Sequence, residues 1–174
     1  MTGPNGTPSS SAPKQESSAA PPPPTEHNQR SALTTARVRR QQRLTGDNPL
    51  RFSAVFNESA LHRVIGGTEV TRDQLIHLME TADLPNVDLR CVPFTAGAHA
   101  ATEGSFVLLR FPDLIEGVNS GDAVYIEYAI GGLFLEQESE TSYYQGLFHK
   151  VQGAALEQQE TRKLIQRLLD EKYK

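Results

Sequence analysis

The sequence predicts an α+β fold, with a mixed, mainly antiparallel sheet of about five strands and with helices on one face and at the ends. Two observations predict it. Segments with the two-residue alternation of strands share the chain with segments that repeat at the 3.6-residue spacing of helices. The helical segments lie both between the first two strands and after the last one. We therefore expect a single α+β regulatory domain over residues 31–174, preceded by a disordered tail over residues 1–30.

The tail prediction depends on composition. Residues 1–30 hold seven of the eleven prolines, and their only large apolar side chain is that of Met1. Such a segment cannot bury enough surface to offset the entropy of ordering it. The run Pro21–Pro24 is typical of polyproline II. We expect a solvated tail or linker, and a recognition arm for a proline-binding module is the alternative.

The strand predictions follow apolar alternation and turn signals. Strands are predicted over residues 50–56, 87–93, 105–111, 123–128 and 133–135. The stretch 105–111 is more continuously apolar, which predicts a central strand covered on both faces. The last two strands are predicted to form a hairpin with Gly131-Gly132 as its tight turn. The predicted core residues are Phe106, Leu108, Val124 and Ile126.

The helix predictions follow capping residues and apolar spacing. Helices are predicted over residues 31–46, 58–65, 71–84, 139–153 and 157–172. Asn57 and Thr71 are the expected caps of the second and third of these helices. Gly66-Gly67 is expected to end the second.

Charge is distributed unevenly along the chain. The net charge is −4, but residues 47–174 carry 11 basic and 19 acidic residues, a net charge of −8. Residues 31–46 carry four arginines and no acid. An acidic body is a poor partner for a polyanion. We therefore interpret the basic helix as structural or partner-facing, with direct DNA contact and a plain solvated face as alternatives. Its candidate binding residues are Arg37, Arg40 and Gln41.

The chain shows little that is typical of an enzyme. The five histidines lack metal-ligand spacing, and neither glycine pair has the pattern of a phosphate-binding loop. Cys91 lies in an apolar strand pattern, which indicates a buried hydrophobe rather than a nucleophile. We expect no enzymatic activity, no metal and no cofactor. With a single cysteine, no secretory signal and no apolar run of membrane-spanning length, we expect a cytoplasmic protein.

One loop offers polar candidates. His99 lies between two predicted strands, where loops often carry function, although an exposed loop histidine is the plainer interpretation. A pocket near Phe94, His99 and Glu127 would indicate a small-molecule sensor or a weak enzyme. This is the alternative to a non-enzymatic module that binds a small protein partner or self-associates.

Several short motifs occur together over residues 36–170. They are Arg40-Gln41, Asn57-Glu58-Ser59-Ala60-Leu61, Pro93-Phe94 with Gly97 and His99, Phe106 with Phe111-Pro112-Asp113, and Tyr125-Ile126-Glu127. In this order they resemble a domain of unknown function that follows an Xre-type helix-turn-helix in actinobacterial, antitoxin-like regulators of transcription, which include the WhiJ-like regulators.

The resemblance implies a regulatory role with a small protein encoded nearby as partner. It also implies that specific DNA binding belongs to the helix-turn-helix, which this sequence lacks. The chain is then either a free-standing relative or a shortened regulator.

Overall fold

The computed structural model describes residue 35 and residues 38–100, 104–112 and 121–173. The chain divides into two units, Met1–Arg40 and Gln41–Lys174. The predicted tail over residues 1–30 lies outside the described residues. In the predicted first helix, Thr35 and residues 38–42 are helical.

The second unit is a mixture of helices and strands, so the predicted α+β class is confirmed. Its elements in chain order are β1 (Phe52–Asn57), α1 (Ser59–His62), α2 (Thr68–Ala82), β2 (Val87–Val92), a short 3₁₀ turn (Phe94–Ala96), β3 (Val107–Arg110), β4 (Asp122–Tyr128), β5 (Gly131–Leu135), α3 (Glu138–Ala154) and α4 (Gln158–Lys172).

The prediction of one mainly antiparallel sheet of about five strands is wrong. The described strands form two sheets, a parallel pair β1–β2 and an antiparallel sheet in the order β3-β4-β5. In the parallel pair, Phe52 lies opposite Val87 and Asn57 lies opposite Val92. Parallel strands need a long crossover, and the helices α1 and α2 provide it. Strand alternation does not distinguish parallel from antiparallel pairing, so the sequence pattern left this open.

The predicted cap is wrong by one residue, because Glu58 rather than Asn57 occupies the N-cap position of α1. The side-chain oxygen of Asn57 accepts a hydrogen bond from the backbone N–H of Ser59 at 3.0 Å. Helix α1 ends at His62 and is therefore shorter than the predicted helix over residues 58–65. Gly67 then adopts a φ of 100°, which side chains rarely tolerate, immediately before α2. Thr71 lies inside α2 instead of capping it, and its hydroxyl donates to the carbonyl of Gly67 at 2.9 Å.

The main core lies where α2, β2 and α4 meet. Its buried members are Leu61, Leu75, Cys91, Leu164, Ile165, Leu168 and Tyr173. Of the four predicted core residues only Val124 is fully buried, and Phe106, Leu108 and Ile126 are half-buried. For Phe106 and Leu108 the difference arises because β3 is an edge strand rather than the predicted central one. Its first residue, Val107, is 50% exposed.

The predicted hairpin is confirmed in β4 and β5, but its turn differs. Tyr128 lies opposite Gly131, so Ala129 and Ile130 form the two-residue loop. Gly132 lies in the strand, under the ring of Tyr125, and a Cβ atom there would overlap that ring. Close approach of the ring, rather than turn conformation, is therefore the reason for a glycine at position 132.

Candidate functional site

A cluster of polar side chains lies at the carboxyl ends of β1 and β2. This strand-end cluster comprises Asn57, Glu58, His62, Phe94, His99 and Lys172. Asn57 is the last residue of β1 and Glu58 directly follows it. Phe94 follows β2 after one proline. The carboxyl ends of parallel strands meet at one edge, which is where ligands of open α/β sheets bind.

Glu58 is the centre of this cluster, with a side chain that is only 13% exposed. One carboxylate oxygen accepts the backbone N–H of Phe94 at 2.7 Å. The other lies 3.4 Å from Nε2 of His62. The backbone N–H of Glu58 donates to the carbonyl of Val92 at 2.9 Å. Glu58 therefore joins the two strand ends to the 3₁₀ turn that follows β2.

His62 extends the contacts to the last helix. Its Nδ1 lies 3.0 Å from Nζ of Lys172, at the carboxyl end of α4. Its ring lies against the ring of Phe94, with centroids 5.4 Å apart. Lys172 can only donate, so Nδ1 accepts in this arrangement and Nε2 carries the proton towards Glu58. A chain of hydrogen bonds thus runs from Lys172 through His62 to Glu58.

The structure brings two sequence-predicted site residues into this cluster. The amide nitrogen of Asn57 lies 3.1 Å from Nε2 of His99, and Phe94 contacts both Glu58 and His62. Motif spacing in the sequence does not indicate a place in this cluster for Asn57, Glu58, His62 or Lys172. Asn57 and Glu58 directly follow a predicted strand, which is their sequence signal, whereas His62 and Lys172 lie on helices and have no such signal.

Cys91 lies next to the cluster and is fully buried. Burial raises the pKa of its thiol to about 12, and the negative charge of Glu58 acts in the same direction. A thiol that stays protonated is a poor nucleophile. The predicted role of Cys91 as a small buried hydrophobe is therefore confirmed.

Glu127 lies apart from the cluster, near the end of β4 in the second sheet. Together with Phe106, Ile126 and Tyr144 it lines a concavity of about 150 Å³, and neither Phe94 nor His99 is among the described lining residues. This concavity therefore does not bring Glu127 together with Phe94 and His99. Arg40 and Gln41 are exposed and helical. Arg37 lies outside the described residues.

A larger concavity of about 430 Å³ lies between α2 and α4. Its floor includes Ile76 and Met79, and charged groups surround it. Those groups contact the protein itself. Arg162 pairs with Asp83, and this guanidinium lowers the pKa of the carboxyl. Arg72 donates to the carbonyl of Tyr173 at 3.2 Å. The contacts of Arg162 and Arg72 therefore join α2 to α4 and to the residue that follows it.

The second sheet presents apolar side chains across all three strands. Val107 on β3, Tyr125 on β4 and Phe134 on β5 are direct cross-strand neighbours. We call these three residues the cross-strand row. Val107 is 50% exposed and Phe134 59% exposed. The rings of Tyr125 and Phe134 contact each other, with centroids 4.8 Å apart. Helix α3 packs on β4 and β3, on the side where Val124 is buried, so the row lies on the opposite face.

The described part of the chain has neither a group of metal-ligating side chains nor a helix that could span a membrane. No three His, Cys, Asp or Glu side chains there are grouped so that they would hold a metal ion. No helix there has the length and apolar character needed to cross a membrane.

The fold and these sites define a mixed helix-and-strand domain with a polar strand-end cluster and an apolar row. The family model described as "Domain of unknown function (DUF5753)" matches residues 16–167. The chain therefore belongs to the DUF5753 family. No curated protein and no solved structure shows significant similarity to it.

Proposed function

We propose that this chain is a non-enzymatic regulatory module that binds a small protein partner, or a second copy of itself, through its second sheet. The proposed setting is an antitoxin-like transcription regulator, related to the Xre-type and WhiJ-like regulators of actinobacteria. The sequence resemblance motivates the setting. The observation that carries the binding role is the exposed cross-strand row.

The row is more than a set of scattered apolar residues. Its three side chains occupy one cross-strand line on one face of the sheet. Phe134 and Val107 at its two ends are at least half exposed. Single exposed apolar residues are ordinary on protein surfaces, whereas contiguous ones mark interaction sites. Aromatic residues are also enriched in the buried centres of protein interfaces.

Small-molecule sensing is the alternative, with the strand-end cluster as its site. The position of that cluster favours it, because the carboxyl ends of parallel strands commonly bind ligands. The hydrogen bonds within the strand-end cluster argue against ligand binding there. Glu58 already receives the N–H of Phe94, and His62 lies between Glu58 and Lys172. These groups hold the protein together, and a ligand would have to replace those bonds.

The test is isothermal titration calorimetry of the purified chain against the small protein encoded next to its gene. We expect binding, and we expect Phe134→Ser and Val107→Ser each to weaken it by about tenfold or more, as for residues at the centre of an interface. Ile65→Ser is the matched control, since Ile65 is 68% exposed but precedes α2 in the other half of the fold. Equal affinity of all three variants and the wild type would contradict the proposed role of the row.

A further inference from the structure

We propose that the outer edge of β5 pairs with the β5 strand of a second copy, extending the three-stranded sheet into a continuous six-stranded one. This inference rests on the proposed function, because it names the partner of the same sheet. It uses a different surface, since the cross-strand row lies on a face and the pairing involves the backbone of an edge.

The backbone of β5 is open along its outer side. The strand lies at the end of the order β3-β4-β5, and among the described residues no hydrogen bond joins its outer side to another element. In a two-residue hairpin the closing pair, here Tyr128 and Gly131, exchanges hydrogen bonds, and the pattern then alternates. Gly132 and Phe134 therefore direct their N–H and C=O groups outwards, as a template for another strand.

Strand β5 also lacks the features that usually protect an edge strand from pairing. Natural edge strands are commonly blocked by charged residues, proline or a covering element. The seven residues from Ala129 to Leu135 contain neither charge nor proline. Helix α3 packs against β4 and β3 rather than over β5. Leu133 and Phe134 remain 48% and 59% exposed.

The sequence of β5 allows the strand to pair with the β5 strand of a second copy. A two-fold axis through Leu133 pairs all five residues of β5, placing Gly131 opposite Leu135 and Gly132 opposite Phe134 of the other copy. Outward-directed Gly132 and Phe134 then meet as a hydrogen-bonded pair, which antiparallel geometry requires. Glu136 falls opposite Ile130, so the two copies place no like charges directly opposite each other. The strand is therefore complementary to itself in an isologous arrangement.

This register makes a specific prediction about Leu133. The two Leu133 residues oppose each other as a non-hydrogen-bonded pair, with Cα atoms about 4.5 Å apart. That spacing is within the range that disulfides span. Leu133→Cys should therefore form an intermolecular disulfide under mild oxidation. The native Cys91 is fully buried and will not interfere.

The experiment combines cross-linking with sedimentation equilibrium on the full chain. We expect a wild-type dimer, and rapid cross-linking of Leu133→Cys. Val107→Cys, on the opposite edge of the same sheet, is the control that should not cross-link. Phe134→Pro removes an outward N–H and should raise the dimer dissociation constant by at least tenfold more than Phe134→Ala, which keeps that N–H.

Two results would overturn the inference. One is a wild-type chain that stays monomeric up to about 0.1 mM. The other is a dimer that cross-links through Val107→Cys and not through Leu133→Cys. If Phe134→Pro fails to fold, the two cysteine variants still decide. A monomer that binds the neighbouring small protein through the cross-strand row refutes the dimer and leaves the proposed function standing. A monomer whose partner binding ignores the row refutes both.

Discussion

Glu58 shows how one side chain can fix the geometry of the strand-end cluster. Its carboxylate accepts the N–H of Phe94 and lies beside His62, while its own N–H bonds Val92. These contacts reach three separate parts of the chain, the end of β2, the turn after it and helix α1. A carboxylate that is only 13% exposed is costly to bury unless it is hydrogen-bonded in this way.

We predict that Glu58→Ala lowers the free energy of unfolding by about 1–3 kcal/mol, because the N–H of Phe94 loses its acceptor. Urea denaturation monitored by circular dichroism measures this. Glu127→Ala is the control, since Glu127 is exposed, and it should change stability by less than about 0.5 kcal/mol. A similar loss in the two variants would show that Glu58 does not act through these bonds.

The buried thiol of Cys91 should make the free energy of unfolding depend on pH. Burial raises the pKa of its thiol to about 12, whereas the thiol of the unfolded chain ionises at about pH 8.5. Above the lower value the unfolded chain binds fewer protons than the folded one, so stability falls as pH rises from about 8.5 to 12. Between pH 8 and pH 10 the wild type should lose about 1–2 kcal/mol more than Cys91→Ala. Parallel pH profiles of the two proteins would contradict this.

At the scale of elements, apolar periodicity predicted most helices and strands but not how the strands assemble. The last two helices and the β4–β5 hairpin occur as expected. The continuous apolar run 105–111 suggested a central strand, yet Val107–Arg110 forms a sheet edge. The residue types of a segment predict that it forms a strand. Whether that strand is central or at an edge depends on residues that are distant in the sequence.

The same limit applies to the candidate site. His99 was identifiable as a polar residue in a loop, but its contact with Asn57 joins residues 42 positions apart. Only the parallel register of β1 and β2 brings them together, and no local pattern encodes that register. Glu127 lies near the end of β4 and lines a concavity that includes neither Phe94 nor His99. Sequence order alone does not show which loops and strand ends share a pocket.

Helix α4 is the element on which the core depends most. Ile165 is 1% exposed and packs among residues from α2 and β2. We predict that Ile165→Ala lowers the free energy of unfolding by about 2–5 kcal/mol, since it removes buried apolar atoms and leaves a cavity. Ile130→Ala, at a residue that is 94% exposed, should cost less than about 0.5 kcal/mol. Thermal and urea unfolding of both variants are the measurements, and equal midpoints would refute the assignment of the core.

At the scale of the whole molecule, charge argues against a role in reading DNA. Residues 47–174 carry a net charge of −8, whereas the segment 31–46 carries four arginines and no acid. Arg40 and Gln41 in this segment are exposed. Four arginines provide at most four phosphate contacts, so the electrostatic contribution to duplex binding is small.

We therefore predict weak, unselective binding to duplex DNA, with a log–log salt slope of about −4 or shallower. Fluorescence anisotropy against the promoter region of the gene, at about 150 mM salt, measures it. A scrambled duplex of equal length is the control for selectivity. Nanomolar, sequence-selective binding that disappears in the triple variant Arg37→Ala, Arg40→Ala, Arg43→Ala would show that the basic helix is itself a DNA-reading element.

The placement of α4 also determines when the protein can fold during its synthesis. The backbone of Cys91 bonds both the N–H of Leu156 and the hydroxyl of Thr161, at 2.8 and 3.0 Å. Tyr173, the last of the described residues, is buried in the same core. The β1–β2 unit therefore remains incomplete on the ribosome until some eighty further residues have been translated and released from the exit tunnel. During that interval the nascent chain exposes β2 and the uncharged β5 edge together, so chaperone binding should be strongest before α4 has left the exit tunnel.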